Sequence, residues 1–264
     1  MRLATFLTPE GPAPHHGEVR GDRIIAFGTG SVIDRLASGD LSPADGQDYA
    51  LDEVSLLAPV QRPRAIFGIG LNYAAHAAET GKDLPEQPMV FMKLPRSSVS
   101  PNGTVHVPAA AGKRLDYEVE LVVVLGADNR IAGYAVANDL SARDLQGRET
   151  QWTRAKGFDA SCPWGPWITT ADEVADPEAL RLSSQVNGEV RQDSSTSDLV
   201  FGPQALVDWI AQTCTLEPGD IILTGTPEGV GQSMDPPQFL AAGDVVRLEV
   251  ESLGAIEHEI AIGS

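Results

Sequence analysis

The amino-acid sequence predicts an α+β fold whose core is a mixed β-sheet. Most segments after residue 65 combine β-branched or aromatic residues with Gly, Pro or Asp at their ends, which is typical of strands. Helical spacing of apolar residues occurs in only a few short segments. The chain lacks the regular alternation of strand and helix that builds a doubly wound parallel sheet, so we do not expect that fold.

Residues 1–60 are predicted to form a small N-terminal domain, followed by a catalytic domain over 61–264. Two strand segments, RLATFL and RIIAF, flank a polar turn that is expected around 17–22. The segment SVIDRLASG has apolar residues at helical spacing and ends at Gly39, which predicts a short helix. The polar sequence QRPR at 61–64 marks the expected boundary between the two domains.

The remainder of the chain is predicted to be mostly strands. The strand segments are, in order, AIFGIG, MVFMKL, TVHVP, YEVELVVVLG, IAGYAVANDL, PWITT, RLSSQV, EVRQD, DIILTG, VVRLEV and AIEHEIAI. Asn187-Gly188 predicts a two-residue hairpin, because both central positions of a type I′ turn need a positive φ. Helices are predicted over 73–80, 141–152 and 203–213, and Pro203 suits the first turn of the last one.

The charge of the chain restricts its partners. The sequence has 37 acidic and 19 basic residues, which gives a formal net charge of −18. We therefore expect no nucleic-acid partner and no membrane partner, because binding phosphates requires a basic surface. The two cysteines, Cys162 and Cys214, do not have the spacing of a zinc site. No signal peptide or membrane-spanning segment is recognisable, so we expect a cytoplasmic protein.

Two glutamates beside an apolar segment form the sharpest candidate site. Glu118 and Glu120 precede the run LVVVL, and side chains two residues apart in a strand lie on the same face. Two buried carboxylates repel each other unless a cation neutralises them, and oxygen ligands favour Mg²⁺, with Mn²⁺ or Ca²⁺ as alternatives. Asp139, at the end of the next apolar strand, is a candidate third ligand, although strand pairing alone does not place it there. The alternative is that both glutamates lie at a solvated strand end.

Other polar residues are candidates for acid–base chemistry and for binding an anion. His76 and Glu79, three residues apart on a predicted helix, share a face, so the carboxylate can orient the imidazole to activate water. A simple surface contact between them is the alternative. Lys93 and Lys156 end or flank apolar segments and are candidates for contacts with a substrate carboxylate or enolate. The loop TGTPEGVG at 224–231 offers N–H and hydroxyl donors to an anion, or is a plain turn.

Six segments, in this order, closely resemble the fumarylacetoacetate hydrolase (FAH) family over about residues 65–262. They are GLNYAAHAAETG, VFMKLPRSS, DYEVELVVVLG, NDLSARDLQ, WTRAKGFDASCP and LEPGDIILTGTPEGVG. The resemblance implies an FAH-type mixed β-roll or sandwich core, a small N-terminal domain and a homodimer. It also implies a Mg²⁺ or Mn²⁺ ion that is held by Glu118, Glu120 and Asp139.

The resemblance implies roles for further residues. His76 and Glu79 match the His-x-x-Glu pair of the family, which lies on a lid helix that becomes ordered over substrate. Lys156 matches its catalytic lysine. Arg143 and Gln146 match positions that line the site, and Lys93 and Thr226 match positions that contact the acid group of the substrate. Leu71 stands where acylpyruvate-hydrolysing members commonly have Arg, which brings the chain closer to bacterial isomerase and lyase-type members such as the 2-hydroxyhepta-2,4-diene-1,7-dioate isomerases.

The leading hypothesis is a metal-dependent hydrolase of aromatic catabolism that cleaves a C–C bond in a small 1,3-dicarbonyl acid of the acylpyruvate type. The metal would stabilise the departing enolate and His76 would deprotonate the attacking water, while Lys156 and Thr226 would stabilise developing charge. One alternative is decarboxylation of a 2-oxo diacid, or isomerisation of a 2-oxo or 2-hydroxydienoic diacid, at the same site. Another is an inactive ligand-binding homologue. The expected ligand is a small anionic keto acid, attracted by the metal and the local cations.

Overall fold

The computed structural model describes residues 1–263, and strands dominate the architecture. The strands are β1 (Arg2–Thr8), β2 (Gly11–Arg20), β3 (Arg23–Ala26), β4 (Asp48–Ala50), β5 (Ser55–Leu57), β6 (Ile66–Gly70), β7 (Met89–Lys93), β8 (Ser98–Val99), β9 (Gly103–Val107), β10 (Leu115–Asp116), β11 (Val119–Leu125), β12 (Ile131–Asn138), β13 (Ser141–Ala142), β14 (Cys162–Thr170), β15 (Arg181–Val186), β16 (Glu189–Ser195), β17 (Ile221–Leu223), β18 (Val245–Val250) and β19 (Gly254–Ile262). The α-helices are α1 (Val32–Ser38), α2 (Ala74–Glu79), α3 (Arg143–Gln146), α4 (Thr153–Lys156) and α5 (Pro203–Ala211). None of the helices within residues 1–263 is long and apolar enough to cross a lipid bilayer.

One large mixed sheet of twelve strands runs through the molecule. Along its main path the strand order is β4-β3-β2-β1-β14-β12-β11-β17-β6-β7, with β5 beside β1 and β8 beside β14. The pairs β17–β6 and β14–β8 are parallel, whereas β11 pairs with β12 and β17 in antiparallel fashion. The mixed sheet and the few short helices confirm the predicted α+β class.

The main core lies between the large sheet and a five-stranded sheet of order β16-β15-β18-β19-β9. Leu121 and Val123 of β11 point into this core, whereas Val122 and Val124 belong to a second buried cluster on the opposite face of the same strand. Each fully buried aliphatic side chain of this kind contributes about 1.5–3 kcal/mol. The strand is therefore buried on both faces, as its continuous apolar sequence predicts.

Two local predictions are confirmed by backbone geometry. Helix α1 ends at Gly39, which adopts a left-handed conformation with φ of 68°. Between β15 and β16, Asn187 and Gly188 have φ values of 52° and 81°, as the two-residue turn requires. Helices α2 and α5 begin and end within two residues of the predicted segments.

Three local predictions were wrong in detail. The turn expected around 17–22 is confined to 21–22, because β2 continues to Arg20 and pairs with β3 up to that residue. Of the helix expected over 141–152 only α3 forms, since Gly147 follows it, and the next helix, α4, begins beyond the expected segment. Strand β11 begins at Val119, since the N–H of Glu118 bonds to the side chain of Asn138.

The first 60 residues form β1 to β5 and α1. Strand β1 pairs with β2 and β5 on its own side of the expected boundary and with β14 beyond it. Leu3 of β1 and Leu36 of α1 pack in the same buried cluster as Trp164 of β14. Strand pairing and packing thus continue across residues 61–64, and the division of the chain at residue 60 stays a prediction.

Candidate functional site

A cavity of about 290 Å³ opens near the end of β11 where the two glutamates lie. The predicted site residues that line it are His76, Glu118, Glu120, Arg143, Gln146, Lys156 and Thr226. The other three contact these lining residues from behind: Glu79 contacts His76, and both Asp139 and Lys93 contact Lys156. The structure therefore brings the residues singled out from the sequence into one region.

Glu118, Glu120 and Asp139 form a compact carboxylate triad. Each offers an oxygen, and these three oxygens lie within 4.8 Å of one another. The pairing of Val119 with Asn138 sets the register of β11 and β12, and the N–H of Asp139 donates to the carbonyl of Glu118 at 3.0 Å. Glu118 and Glu120 are only 4% and 1% exposed, so the alternative of a solvated strand end was wrong.

The carboxylates of the triad differ in electrostatic environment. Burial favours a higher pKa for Glu118, but the charges of Lys156 and Arg143 outweigh it and lower the pKa to about 2. Within residues 1–263 Glu120 has no cation at ion-pair distance, and its Oε2 accepts one hydrogen bond, from the N–H of Gly225 at 2.6 Å. Burial, and then the charges of Asp139 and Glu118, raise the pKa of Glu120 well above its usual value.

The triad fits a divalent cation. Three buried carboxylate oxygens form the hard donor set that Mg²⁺ and Mn²⁺ prefer. A cation beside Glu120 would also relieve the repulsion that raises the pKa of this side chain. These two features, the donor chemistry and the uncompensated charge of Glu120, support a metal site made of Glu118, Glu120 and Asp139.

Two buried lysines balance the negative charge of the triad. Lys156 Nζ lies 2.5 Å from Glu118 Oε2 and 2.9 Å from Asp139 Oδ2. An ammonium group has three N–H donors, so one of them remains for a ligand in the cavity that Lys156 lines. Lys93 Nζ donates to Asp139 Oδ1 at 2.5 Å and to the carbonyl of Lys156.

The position of Lys93 differs from the substrate contact that the family resemblance implies. Its side chain is completely buried and is not among the groups that line the cavity. Both of its contacts are with residues of the site, Asp139 and Lys156. Lys93 therefore holds the carboxylate of Asp139 in place from behind the cavity, because a buried charge is stable only when it is paired.

Helix α2 carries the candidate acid–base pair at the wall of the cavity. His76 Nδ1 lies 3.2 Å from Glu79 Oε2, and His76 is buried, so the pair is more than a surface contact. Burial favours a higher pKa for Glu79, but hydrogen bonds from His76 and from the N–H of Gly229 outweigh it and lower the pKa. The ionised carboxylate favours a proton on Nδ1, which leaves Nε2 of His76 as the basic nitrogen.

Glu79 also fixes α2 on the neighbouring loop. Its Oε1 accepts a hydrogen bond from the N–H of Gly229 at 2.9 Å, while its Oε2 faces His76. At the other end of the helix, the N–H of Ala75 donates to Asp198 Oδ2 at 2.9 Å. Helix α2 is thus attached at both ends with His76 between the attachments.

Asp116 is a buried residue beside the cavity that the sequence analysis did not single out as a candidate. Its buried carboxylate accepts hydrogen bonds from Arg143 Nε at 2.8 Å, from the N–H of Gly231 at 2.8 Å and from the N–H of Gln232 at 3.1 Å. In the sequence, its position directly before the segment YEVE was the only indication that it lies near the site. Its partners lie far along the chain, so local sequence patterns could not reveal them.

Arg143 connects this carboxylate with the triad. Its Nη2 lies 2.7 Å from Glu118 Oε1, and its Nη1 donates to Gln146 Oε1 at 3.0 Å. Burial favours a lower pKa for Arg143, but the charges of Glu118 and Asp116 outweigh it and raise the pKa. Nε and Nη1 donate hydrogen bonds to Asp116 and Gln146, and Nη2 forms an ion pair with Glu118, so Arg143 keeps N–H donors for an anionic ligand.

Thr226 lies where it was expected, at the cavity wall, but its hydroxyl group is already engaged. Oγ1 donates to the carbonyl of Val119 at 3.0 Å and accepts from Gln192 Nε2 at 2.8 Å. Gln192 in turn accepts the N–H of Val119 through Oε1 at 3.0 Å. The hydroxyl hydrogen of Thr226 is therefore directed away from a substrate, which differs from the donor role expected from the sequence.

Apart from Lys82, the remaining walls of the cavity are apolar or only weakly polar. Phe91 and Trp152 meet edge to face with ring centroids 5.6 Å apart, and Lys156 Nζ lies 5.3 Å from the centroid of Phe91. Leu71 also lines the cavity and has a φ of 55°, a left-handed conformation that is uncommon for this residue type. The arginine expected at this position in acylpyruvate-hydrolysing proteins is thus replaced by an apolar wall.

Comparison with known proteins places this geometry in a family context. Residues 65–261 match the family described as Fumarylacetoacetate (FAA) hydrolase C-terminal. A curated relative from Bos taurus, Oxaloacetate tautomerase FAHD2A, mitochondrial, is 44% identical, with 98% of this chain and 91% of that protein covered. Among solved structures, 2-hydroxyhepta-2,4-diene-1,7-dioate isomerase from Mycobacterium marinum is 33% identical, with a TM-score of 0.83 and coverage of 100% and 99%. Fumarylacetoacetate hydrolase from psychrophilic Exiguobacterium antarcticum is 31% identical, with a TM-score of 0.89 and full coverage, 100%, of both chains.

Proposed function

Since the chain belongs to the fumarylacetoacetate hydrolase family of divalent-metal-dependent enzymes, we propose that it catalyses the keto–enol tautomerisation of a small 2-oxo dicarboxylic acid such as oxaloacetate. One observation carries this proposal: the carboxylate triad with Lys156 and the His76–Glu79 pair border the same small cavity. Lys156 and a cation held by the carboxylate triad would stabilise the oxygen of an enolate. The His76–Glu79 pair would move a proton on the neighbouring carbon. The relative that is named an oxaloacetate tautomerase supports the choice of reaction.

The carboxylates Glu118, Glu120 and Asp139 would hold the divalent cation. When bound, the cation supplies a Lewis acid that stabilises negative charge on the 2-oxygen of the substrate. The buried carboxylates of the site, including Asp116, number four, and its buried cations, Lys93, Arg143 and Lys156, number three. With all of these groups ionised, a divalent cation changes the local charge from −1 to +1, and a positive site attracts an anionic substrate into a chain whose net charge is −18.

The side chains of the site divide the remaining work. Tautomerisation moves a proton between C3 and the 2-oxygen of the substrate, and Nε2 of His76 would remove or return the proton at C3. The ionised Glu79 stabilises the imidazolium that forms. Lys156 would donate its remaining N–H to the enolate oxygen, and Arg143 would bind the carboxylate at C1 with its remaining donors.

Rapid mixing of the enol form of oxaloacetate with the protein tests the proposal. We expect the Mg²⁺-loaded protein to accelerate the loss of the ultraviolet absorbance of the enol without releasing pyruvate. His76→Gln should retain metal binding and lose about 10²-fold or more of the rate. An enol decay that is the same with and without the protein would refute the tautomerase function. Release of pyruvate would indicate a decarboxylase instead.

Hydrolytic C–C cleavage of an acylpyruvate is the second candidate. The His76–Glu79 hydrogen bond of 3.2 Å favours it, because such a pair can also activate a water molecule. Incubation with acetylpyruvate and quantification of acetate and pyruvate distinguish the two reactions. A hydrolase should release acetate and pyruvate in equal amounts. Its kcat/KM for acetylpyruvate should exceed that for tautomerisation of the enol of oxaloacetate.

We also propose that two copies of the chain associate as a homodimer. Strand β7 lies at the edge of the large sheet, and Val90 and Met92 of this strand are 39% and 43% exposed. An edge strand with exposed apolar side chains tends to associate with another chain. Light scattering coupled to gel filtration should give twice the chain mass of 28.0 kDa, whereas a mass of one chain would refute the dimer.

A further inference from the structure

Lys82 differs from the other cations that line the cavity. The cations deeper in the site are paired, since Lys156 contacts Glu118 and Asp139, and Arg143 contacts Asp116 and Glu118. Lys82 is exposed, and no carboxylate in the described chain, residues 1–263, lies within ion-pair distance of it. It is therefore a positive charge at the cavity that no group of the described residues neutralises.

The backbone of Lys82 is fixed by the end of helix α2. Gly81 adopts a left-handed conformation with φ of 66°, and its N–H donates to the carbonyl of Ala78 at 3.1 Å. The N–H of Lys82 donates to the carbonyl of Ala77 at 2.9 Å. These two bonds form a Schellman motif, which ends the helix and directs the following residue. The helix that carries His76 thus also carries Lys82 at the cavity.

The cavity wall offers few other polar groups for a second anionic end of a ligand. Leu71 and Val230 line it with apolar side chains, and Gln232 provides a neutral amide. The backbone of Gln232 is held by Asp116 through a hydrogen bond of 3.1 Å. A carboxylate at the distal end of a short substrate would therefore find Lys82 as its charged partner and Gln232 as an additional donor.

We propose that Lys82 binds the distal carboxylate of the substrate and makes the enzyme selective for dicarboxylic over monocarboxylic 2-oxo acids. This inference rests on the proposed tautomerase function and names the residue that recognises the second carboxylate. An ammonium–carboxylate hydrogen bond in a partly enclosed cavity is stronger than one on an open surface. Removing the ammonium group is expected to weaken binding of the diacid by about tenfold.

The test compares oxaloacetate with its 4-ethyl ester, which keeps the 2-oxo acid and loses the distal charge. Lys82→Met should raise KM for the enol of oxaloacetate about tenfold with little change in kcat, and should leave KM for the ester unchanged. Lys82→Arg should restore most of the affinity for oxaloacetate. Lys113→Met is the matched control, because it removes the charge of an exposed lysine that does not line the cavity. Equal effects of Lys82→Met on the two substrates, or no effect on either, would overturn the proposal.

A binding measurement separates failure of this inference from failure of the proposed function. Titration calorimetry of the Mg²⁺-loaded protein compares malate with lactate, which differ in the distal carboxylate and do not undergo tautomerisation. The wild type should bind malate more tightly, and Lys82→Met should abolish that preference while lactate binding stays the same. If the wild type tautomerises neither oxaloacetate nor its 4-ethyl ester, the proposed function fails. The preference for malate over lactate still decides the role of Lys82. If the wild type does not prefer malate, the role of Lys82 fails whatever the reaction is.

Discussion

Arg143 and Asp116 form a buried ion pair beside the cavity, with Arg143 Nε donating to Asp116 Oδ2 at 2.8 Å. The same carboxylate accepts the N–H groups of Gly231 and Gln232, at 2.8 and 3.1 Å. Asp116 therefore links an arginine that faces the substrate cavity with a loop at its wall. Each oxygen of this carboxylate accepts two N–H groups. An asparagine at this position would therefore turn its NH₂ group toward N–H donors that it cannot accept.

We expect Asp116→Asn to lower the free energy of unfolding by about 3 kcal/mol, because it removes one of the two counter-charges of the buried Arg143 and turns an amide donor toward N–H donors. Denaturant unfolding at neutral pH measures the change. The matched control is Asp159→Asn, an exposed aspartate whose oxygen lies 3.8 Å from Arg96, which should change stability by less than about 0.5 kcal/mol. Similar stabilities of the two variants would show that the Asp116 carboxylate is not required.

Glu120→Gln should have opposite effects with and without metal. Without metal the variant should unfold at a higher temperature than the wild type at pH 8, because it removes a buried negative charge next to Glu118 and Asp139. Added Mg²⁺ should stabilise the wild type, by about 2.7 kcal/mol at a concentration 100 times Kd, and should leave the variant unchanged. Thermal unfolding with EDTA or with Mg²⁺ measures both effects.

The control for this experiment is Glu86→Gln, at an exposed position, which should respond to Mg²⁺ as the wild type does. An unfolding temperature of Glu120→Gln that still rises with Mg²⁺ would exclude Glu120 as a ligand.

Glu79→Gln should separate catalysis from metal binding. The variant loses the negative charge that stabilises protonated His76, so we expect kcat to fall by about 10²-fold. The affinity for Mg²⁺, measured by calorimetry, should not change, because Glu79 is outside the carboxylate triad. Asp83→Asn is the control for an exposed acidic residue close by in the chain. A parallel loss of metal affinity and rate would mean that Glu79 acts through the metal site.

His258 should make the stability of the protein depend on pH. Asn138 accepts the N–H of Glu118 with Oδ1 at 3.1 Å, so its Nδ2 is the donor to His258 Nε2, 3.0 Å away, and His258 must be neutral. Burial lowers the pKa of His258 from 6.5 to about 4. Between these values the unfolded chain binds the proton more readily, so stability is complete above about pH 6.5 and falls as the pH decreases to about 4.

The loss over this range amounts to roughly 3 kcal/mol, at about 1.4 kcal/mol for each pH unit between the two pKa values. Denaturant unfolding of the wild type and of His258→Gln between pH 7 and pH 4 measures it. Gln keeps an oxygen that accepts the bond from Asn138 and cannot take up a proton, so the variant should lose less stability than the wild type. Equal slopes for the two proteins would refute a neutral, titrating His258.

The candidate site could be anticipated in part from local patterns. The continuous apolar run of β11 predicted burial on both faces, and the glutamates before it predicted a cation site on one face. The spacing of His76 and Glu79 predicted their contact, because residues three apart on a helix are neighbours. The ordered motifs predicted the family, and the family match confirms it.

The contacts of Asp139, Lys93 and Asp116 could not be predicted in the same way. Asp139 reaches Glu118 because the register of β11 and β12 places their ends side by side. Lys93 faces Asp139 across 46 residues of chain, and Asp116 holds a loop 115 residues away. The engaged hydroxyl of Thr226 depends in the same way on Gln192 of another strand.

Through its ordered motifs the sequence indicated the family, and the resemblance implied the three carboxylates. By local pattern alone it determined the α+β class and the short helix with His76. These depend on periodicity, turn chemistry and residue type, which act between residues close in the chain. Only the tertiary structure decided which cations are neutralised and that the hydroxyl hydrogen of Thr226 is engaged. It also decided that Lys82, at the cavity, has no ion-pair partner within residues 1–263. Those properties depend on distances of a few ångströms between distant segments, which strand register and core packing set and which no local pattern encodes.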